Sequence, residues 1–228
     1  MTVEAKFLGH AAVQVKAGQT VILIDPFLTG NPQAVVKPDQ VKADVIVVTH
    51  GHGDHLGDAE AIAKRTGALV IANAEIAGYL SKKGVRAHAL HIGGGYNFPF
   101  GRVKLTIAHH GSSLPDGSYG GNPAGVLLYV EGKTIYHAGD TGLFYDMKLI
   151  GEEGVDLAFL PIGDNYTMGL EDALRAVKLI QPKVVIPMHY DTFPVIPEDP
   201  HKFAARVAAE VPGVQCVVLR PGESFALP

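Results

Sequence analysis

The chain carries an unusual concentration of side chains that can bind metal ions or move protons. Residues 50–55 read His-Gly-His-Gly-Asp-His, so three imidazoles and a carboxylate lie close together. They follow directly on the apolar run at 44–49, which predicts a strand buried on both faces. The glycines leave the loop backbone free to turn sharply. Imidazole and carboxylate are good ligands for borderline divalent metals such as zinc, so this segment predicts a metal site rather than a solvated polar loop.

Further residues that can bind metals stand at the ends of other predicted strands. Ligands of open sheets collect at the carboxyl ends of the strands, so several such residues indicate one site assembled from distant segments. These residues are Asp25 at the end of 20–25, His109 and His110 at the end of 102–110, Asp140 after 134–137, and His189 after 183–187.

The composition is that of a globular protein. The chain has 228 residues, of which 47% are hydrophobic and 18% are charged, which argues against disorder. No linker-like tract divides it, so we expect one domain over residues 1–228. The net charge is −4 without a run of Lys or Arg, which argues against nucleic acid as the main partner. With one cysteine (Cys216), no apolar leader and no spanning stretch, we expect a cytoplasmic protein without a membrane partner.

The pattern of predicted elements repeats. Strands come first, strand–helix units follow, and the same order begins again near residue 100, which predicts two similar halves, each with a sheet and outer helices. Strands are predicted at 7–15, 20–25, 44–49, 68–72, 102–110, 125–130, 134–137, 156–160, 183–187 and 215–219, and helices at 58–66, 74–83, 169–181 and 200–211.

The order of these motifs resembles the metallo-β-lactamase superfamily. The pattern His50-x-His52-x-Asp54-His55 is followed along the chain by His110, Asp140 and His189. Within the superfamily the chain is most similar to small metal-dependent hydrolases of the UPF0173 type, related to the ascorbate-6-phosphate lactonases. The supporting segments are Phe7-Leu8-Gly9-His10, Ile24-Asp25-Pro26-Phe27, His110-Gly111-Ser112-Ser113, His137-Ala138-Gly139-Asp140-Thr141 and Gly163-Asp164-Asn165-Tyr166-Thr167-Met168.

The resemblance implies an α/β (α+β) fold, the four-layer αββα sandwich, with a dinuclear site at one edge. Strand alternation from Val103 would place His109 on the apolar face, whereas the family motif places His110 at the ligand position. The ligand sets implied by the resemblance are His50, His52 and His110 for one metal, Asp54, His55 and His189 for the other, and Asp140 between them.

Other residues near these motifs are candidates for supporting roles. Asp25 either fixes the tautomer of a ligand histidine or only forms a turn with the following proline. His10 and His137 either orient substrate or relay a proton, or are hydrogen-bonded core histidines. The candidate catalytic groups are Asp54 and His137, and the candidate pocket residues are Asp164 and Tyr166.

The implied chemistry is hydrolysis. Two divalent ions can share a bridging hydroxide that attacks a small-molecule ester, lactone or phosphoester. The alternatives are a nuclease or phosphodiesterase acting on RNA or cyclic nucleotides, and a diiron redox protein, which His52 disfavours because those relatives carry Glu there. Zinc is the first expectation for the metal and manganese the second, with nickel, cobalt and iron also compatible. We expect a small-molecule substrate as partner. Because relatives in the family often associate, a homo-oligomer is also possible.

Overall fold

Two seven-stranded sheets form the centre of the molecule, and the computed structural model describes residues 2–228. The first sheet contains β1 (Val3–Gly9), β2 (Ala12–Ala17), β3 (Thr20–Ile24), β4 (Val45–Val47), β5 (Leu69–Asn73), β6 (Ala87–Leu90) and β14 (Ser224–Leu227). The second contains β7 (Gly95–Phe98), β8 (Gly101–Ile107), β9 (Ala124–Val130), β10 (Lys133–His137), β11 (Leu157–Pro161), β12 (Val184–Met188) and β13 (Gln215–Cys216). The helices are α1 (Gly53–Leu56), α2 (Ala59–Thr66), α3 (Ala74–Lys82), α4 (Met147–Gly151), α5 (Leu170–Ile180) and α6 (Pro200–Glu210).

Side-chain alternation along the strands divides the core into layers. In β4, Val47 belongs to a cluster that includes residues of both sheets, of α5 and of α6. Its neighbour Ile46 belongs to a second cluster, which the first sheet forms with α2 and α3. Successive strand residues point to opposite faces, so each sheet packs against the other sheet on one face and against helices on the other. This is the predicted αββα sandwich.

The strand order explains why the sequence pattern repeats. The orders are β14-β1-β2-β3-β4-β5-β6 and β13-β12-β11-β10-β9-β8-β7. Each sheet has an antiparallel part and a parallel part, with β3, β4 and β5 parallel in the first and β10, β11 and β12 parallel in the second. Most predicted strands and helices are confirmed to within two residues at their ends.

The single strand predicted at 7–15 is wrong, because the chain turns at Gly9 and His10. Both residues have left-handed backbone, with φ of +105° and +59°. A side chain at Gly9 would place its Cβ 2.8 Å from the Cβ of Gln33, so the close approach also requires glycine. The result is a tight connection between β1 and β2 that presents the side chain of His10.

The prediction also missed several short elements and extended two strands too far. The strand predicted at 102–110 ends at Ile107, and that predicted at 215–219 is reduced to two residues. The missed elements, β6, β7, β14, α1 and α4, are at most five residues long, so their patterns are weak. Among residues 2–228, we find no helix whose length and hydrophobicity would suffice to cross a bilayer.

Candidate metal centre

Loops at the carboxyl ends of parallel strands, together with the loop after β8, carry the predicted ligands. A short buried strand followed by glycine-spaced turns lets the chain leave the sheet and place neighbouring side chains at one point. His50 and His52 follow β4, Asp54 and His55 lie in α1, His110 follows β8, Asp140 follows β10, and His189 follows β12.

The side chains of these loops meet in three overlapping groups. In each group, one potential ligand atom per residue lies within 4.8 Å of the others. The seven predicted ligands therefore form one continuous cluster, to which the structure adds His10. The groups are His50, His52 and His110; His50, His55 and Asp140; and His10, Asp54, His55 and His189.

Asp140 lies at the centre of the cluster. Its Oδ1 is 3.2 Å from His55 Nε2, and its Oδ2 is 3.0 Å from His189 Nε2. The same Oδ2 is 3.5 Å from His110 Nε2 and 4.0 Å from His50 Nε2. The carboxylate thus lies close to histidines of both predicted ligand sets.

Several buried polar atoms of the cluster lack hydrogen-bond partners. Their chemistry shows whether the cluster fits a metal ion. His55 Nε2, Asp140 Oδ1 and both ring nitrogens of His189 are buried without one. His50 Nε2 and His52 Nδ1 face each other at 3.1 Å. Unpaired buried groups are costly, and lone pairs of neutral imidazole and carboxylate are what a divalent cation binds. The donor set therefore fits divalent cations.

Asp25 orients two of the predicted ligand histidines from behind the cluster. Its Oδ2 accepts a hydrogen bond from His55 Nδ1 at 2.8 Å and another from the Thr49 hydroxyl at 2.6 Å. The Thr49 oxygen in turn lies 3.0 Å from His50 Nδ1. Both histidines thereby carry a proton on Nδ1 and direct Nε2 into the cluster. Of the two roles considered for Asp25, these contacts favour orientation of a histidine over a simple turn with the following proline.

Comparisons with known proteins agree with this geometry. The family model described as Beta-lactamase superfamily domain matches residues 20–190. The chain belongs to the beta-lactamase superfamily.

A UPF0173 metal-dependent hydrolase of Bacillus cereus is 53% identical over 232 residues, covering 98% of this chain and 100% of the relative. One from Thermus thermophilus is 53% identical over 225 residues, covering 99% of each chain. A solved structure, the metallo hydrolase Igni18 of Ignicoccus hospitalis, is 40% identical with a TM-score of 0.92, covering 100% of this chain and 99% of that one. The predicted family is confirmed, and the chain is a metal-dependent hydrolase of the UPF0173 type.

Of the two adjacent histidines in this hydrolase, His110 joins the cluster and His109 does not. The ring of His109 packs against Phe144 with centroids 5.2 Å apart, and its backbone N–H donates to the Thr141 hydroxyl. Regular pleating ends at Ile107, so the alternation counted from Val103 no longer holds at these residues.

The expectation of a catalytic His137 is corrected by its surroundings. The side chain is fully buried. Its Nε2 donates to the carbonyl of Ala11 at 2.9 Å, and its Nδ1 accepts the N–H of Gly139 at 3.2 Å. Because both ring nitrogens are bonded to backbone groups, neither can transfer a proton to a substrate. His137 instead ties β10 to the turn between β1 and β2.

His10, by contrast, contacts a predicted ligand. It is fully buried, with Nε2 3.2 Å from Asp54 Oδ2 and Nδ1 2.5 Å from the Thr192 hydroxyl oxygen. A carboxylate can only accept, so Nε2–H donates to Asp54 and Nδ1 accepts from Thr192. Burial lowers the pKa of His10 to about 4, so the ring is neutral. It therefore holds Asp54 rather than binding a metal itself.

Burial and charge set opposite protonation states within the cluster. Burial lowers the pKa of His50 well below its ordinary value. Burial has the same tendency at His55, but the carboxylates of Asp140 and Asp25 outweigh it and hold the pKa well above the ordinary value. Burial would raise the pKa of Asp140, yet His55 and His189 hold it well below. A cation that binds His55 Nε2 must displace the proton that the two carboxylates favour.

The cluster opens into a cleft of about 730 Å³. Asp54, whose side chain is 26% exposed, lies at its floor, whereas Asp140 is only 3% exposed. Tyr166 lines the cleft as predicted, but Asp164 lines a separate pocket with residues of α5 and α6. The cleft-lining residues are Phe27, His52, Gly53, Asp54, His110, Asp140, Tyr166, His189, Phe193, Pro194 and Val195.

Sequence reasoning missed Thr49 and Thr192, whose hydroxyl groups support predicted ligands, Thr49 by contacting His50 and Thr192 by way of His10. Thr49 directly precedes the His-rich segment, so its position was a usable signal. Thr192 lies far from His10 along the chain, and only the tertiary structure brings them together.

Proposed function

We propose that the chain hydrolyses a small-molecule ester, lactone or phosphoester with the help of two divalent cations. The observation that carries this proposal is the convergence of seven His and Asp side chains into one cluster at the floor of an open cleft, with unpartnered buried atoms on His55, Asp140 and His189. Such a cluster, buried on one side and accessible on the other, is the arrangement that metal-dependent hydrolysis needs.

The two ligand sets divide as the family pattern implies. Three-histidine and mixed His/Asp sets suit zinc, our first choice, and accept manganese. His50, His52 and His110 would hold one cation, Asp54, His55 and His189 the other, and Asp140 would bind both.

The chemistry divides between the cations and the chain. Bound divalent cations lower the pKa of water and polarise the substrate's electrophilic centre. Asp54 is the cluster's more exposed carboxylate, and His10 occupies one of its oxygens. Its other oxygen can accept a proton from the attacking water and return it to the leaving oxygen. Buried Asp25 keeps His50 and His55 in the tautomer that leaves Nε2 free.

The lining of the cleft favours a small molecule over nucleic acid. Within residues 2–228, the cleft is lined by no lysine or arginine. Nucleic-acid grooves depend on clustered cations that follow the phosphate backbone. The net charge of −4 points the same way.

A substrate panel tests the proposal. Metal-replete protein is assayed with 4-nitrophenyl acetate, a γ-lactone, bis(4-nitrophenyl) phosphate and a single-stranded RNA. We expect hydrolysis of a small molecule that stops with chelator and returns with zinc or manganese. His50→Ala should abolish it, while His201→Ala, an exposed histidine on α6, should not. Cleavage of RNA alone, or activity indifferent to chelation, would contradict the proposal.

A further inference from the structure

One side of the cleft is an apolar wall beside the metal ligands. We call residues 191–196, between β12 and α6, the strap. Its tip, Phe193, Pro194 and Val195, lines the cleft together with Phe27 and Tyr166. Val195 is 51% exposed and Tyr166 is 53% exposed. Covering exposed apolar surface beside a reactive centre with an apolar part of a ligand is favourable, so it strengthens binding of that ligand.

The strap has a fixed conformation of its own. The N–H of Asp191 donates to the carbonyl of Ile196 at 2.8 Å, and the N–H of Ile196 donates to the carbonyl of Phe193 at 3.1 Å. Ile196 is fully buried and anchors the loop. The carboxylate of Asp191 also accepts the N–H of Glu198 at 3.0 Å. These bonds hold the apolar tip outward as a preformed surface.

The strap is also connected to the metal ligands. Thr192 donates to His10, which donates to Asp54, so the base of the strap reaches a ligand through one side chain. The carbonyl of His10 accepts the N–H of His189, a second ligand, at 2.8 Å. The side chain of Gln33 joins the same turn, because it accepts the His10 N–H and donates to the carbonyl of Tyr190. The wall therefore lies at a fixed position relative to the ligand cluster.

We propose that the wall formed by the strap tip, Phe27 and Tyr166 binds a hydrocarbon group of the substrate. This assigns the substrate class as esters or lactones that bear an alkyl or aryl group. The assignment rests on the proposed function, since it takes the carbonyl of the substrate to lie at the cations while its hydrocarbon group lies on the wall. The lack of lysine and arginine in the described lining agrees with an uncharged group there.

Binding of two metal-chelating probes tests the wall without requiring turnover. Acetohydroxamate and octanohydroxamate share one chelating group and differ by six carbons. Isothermal titration calorimetry on metal-replete protein should give at least about 10-fold tighter binding of the octanoyl probe, since each buried methylene contributes about 4-fold. Val195→Glu should reduce this preference below about 3-fold without changing acetohydroxamate affinity or metal content. Val195→Leu should keep the preference.

Val35→Glu is the matched control, since Val35 is 55% exposed and lies outside the cleft. It should behave like the wild type. Equal affinities of the two probes in the wild type, or an unchanged preference in Val195→Glu, would overturn the wall. A chain-length preference without hydrolysis of any substrate in the panel would reject the proposed function but keep the wall. Hydrolysis without the preference would do the reverse.

Discussion

Asp25 Oδ2 accepts a hydrogen bond from His55 Nδ1 at 2.8 Å, and both side chains are fully buried. The same carboxylate also accepts the N–H of Thr49 at 2.8 Å and its hydroxyl at 2.6 Å. One buried carboxylate thus serves three donors and fixes the orientation of His55 directly and of His50 through Thr49.

Asp25→Asn should weaken metal binding by about 10- to 100-fold, the usual effect of losing a partner behind a metal ligand. In Asn one of the two carboxylate oxygens is replaced by an NH2 donor, so one of the three donors that Asp25 serves loses its acceptor and the side chain loses its charge. Zinc affinity measured by competition with a chromogenic chelator checks this. Asp44→Asn is the control, since Asp44 accepts the Val21 N–H away from the cluster. Equal affinity of the Asp25 variant and the wild type would show that the contact is only structural.

Thr49→Val should weaken the cation site that contains His50 more than the other site. The valine keeps the volume of the side chain but removes the hydroxyl that joins His50 Nδ1 to Asp25. Calorimetric zinc titration should therefore show one site weakened by about 10-fold and the other nearly unchanged. Thr49→Ser should restore the wild-type isotherm. If serine and valine behaved alike, the hydroxyl would have no part in metal binding.

His137→Ala should destabilise the fold without removing the metal centre. The side chain is fully buried and bonds to the backbone of Ala11 and Gly139. We expect the free energy of unfolding to fall by about 2–4 kcal/mol in urea denaturation. The folded fraction should retain its metal content and a kcat within about 10-fold of the wild type. A kcat loss of several orders of magnitude at unchanged stability would restore the catalytic role that the sequence predicted.

Asp156 should make stability depend on pH at acidic values. It accepts Lys183 Nζ at 2.7 Å and the Thr134 N–H at 2.8 Å, joining the starts of three parallel strands. Burial would raise its pKa, but these two hydrogen bonds more than offset burial and lower it. Because the folded-state pKa lies below the unfolded value, the contribution is present above pH ~4 and is lost as the pH falls through the folded-state pKa.

Urea unfolding of Asp156→Asn across pH checks this. The free energy of unfolding of the variant should be about 1–2 kcal/mol lower at pH 7. The expected loss is this small because Lys183 is exposed and solvent screens its charge. The difference from the wild type should shrink below pH ~4. Asp39→Asn on an exposed loop is the control. A constant difference at all pH values would exclude the carboxylate charge as its source.

The parallel strands were predictable because burial on both faces leaves an apolar run such as that of β4. The convergence of these side chains was predictable because four of them are packed into one short segment and the others follow strand ends, whereas their assignment as ligands came from the family motif. His137 shows where this reasoning stops. Its position just before Asp140 in the sequence suggested a role at the site. Only the fold shows that both of its ring nitrogens bond to backbone groups.

The turn at His10 shows a second limit. A left-handed residue inside an apolar pattern gives no local signal apart from the preceding glycine. Its contacts to Thr192 and His189 join residues about 180 positions apart, from opposite halves of the chain. Edge strands such as β7 and β14 were missed for the same reason, since pairing across the fold rather than local pattern decides them.

Metal content per chain tests the central claim most directly. Wild type and Asp140→Ala are loaded with zinc, desalted and analysed by inductively coupled plasma mass spectrometry, with Asp116→Ala on an exposed loop as control. We predict about two ions per chain in the wild type and the control, as in two-metal hydrolases, and loss of both in Asp140→Ala. One ion or none in the wild type, or retention of a full equivalent in Asp140→Ala, would contradict a shared centre built around Asp140.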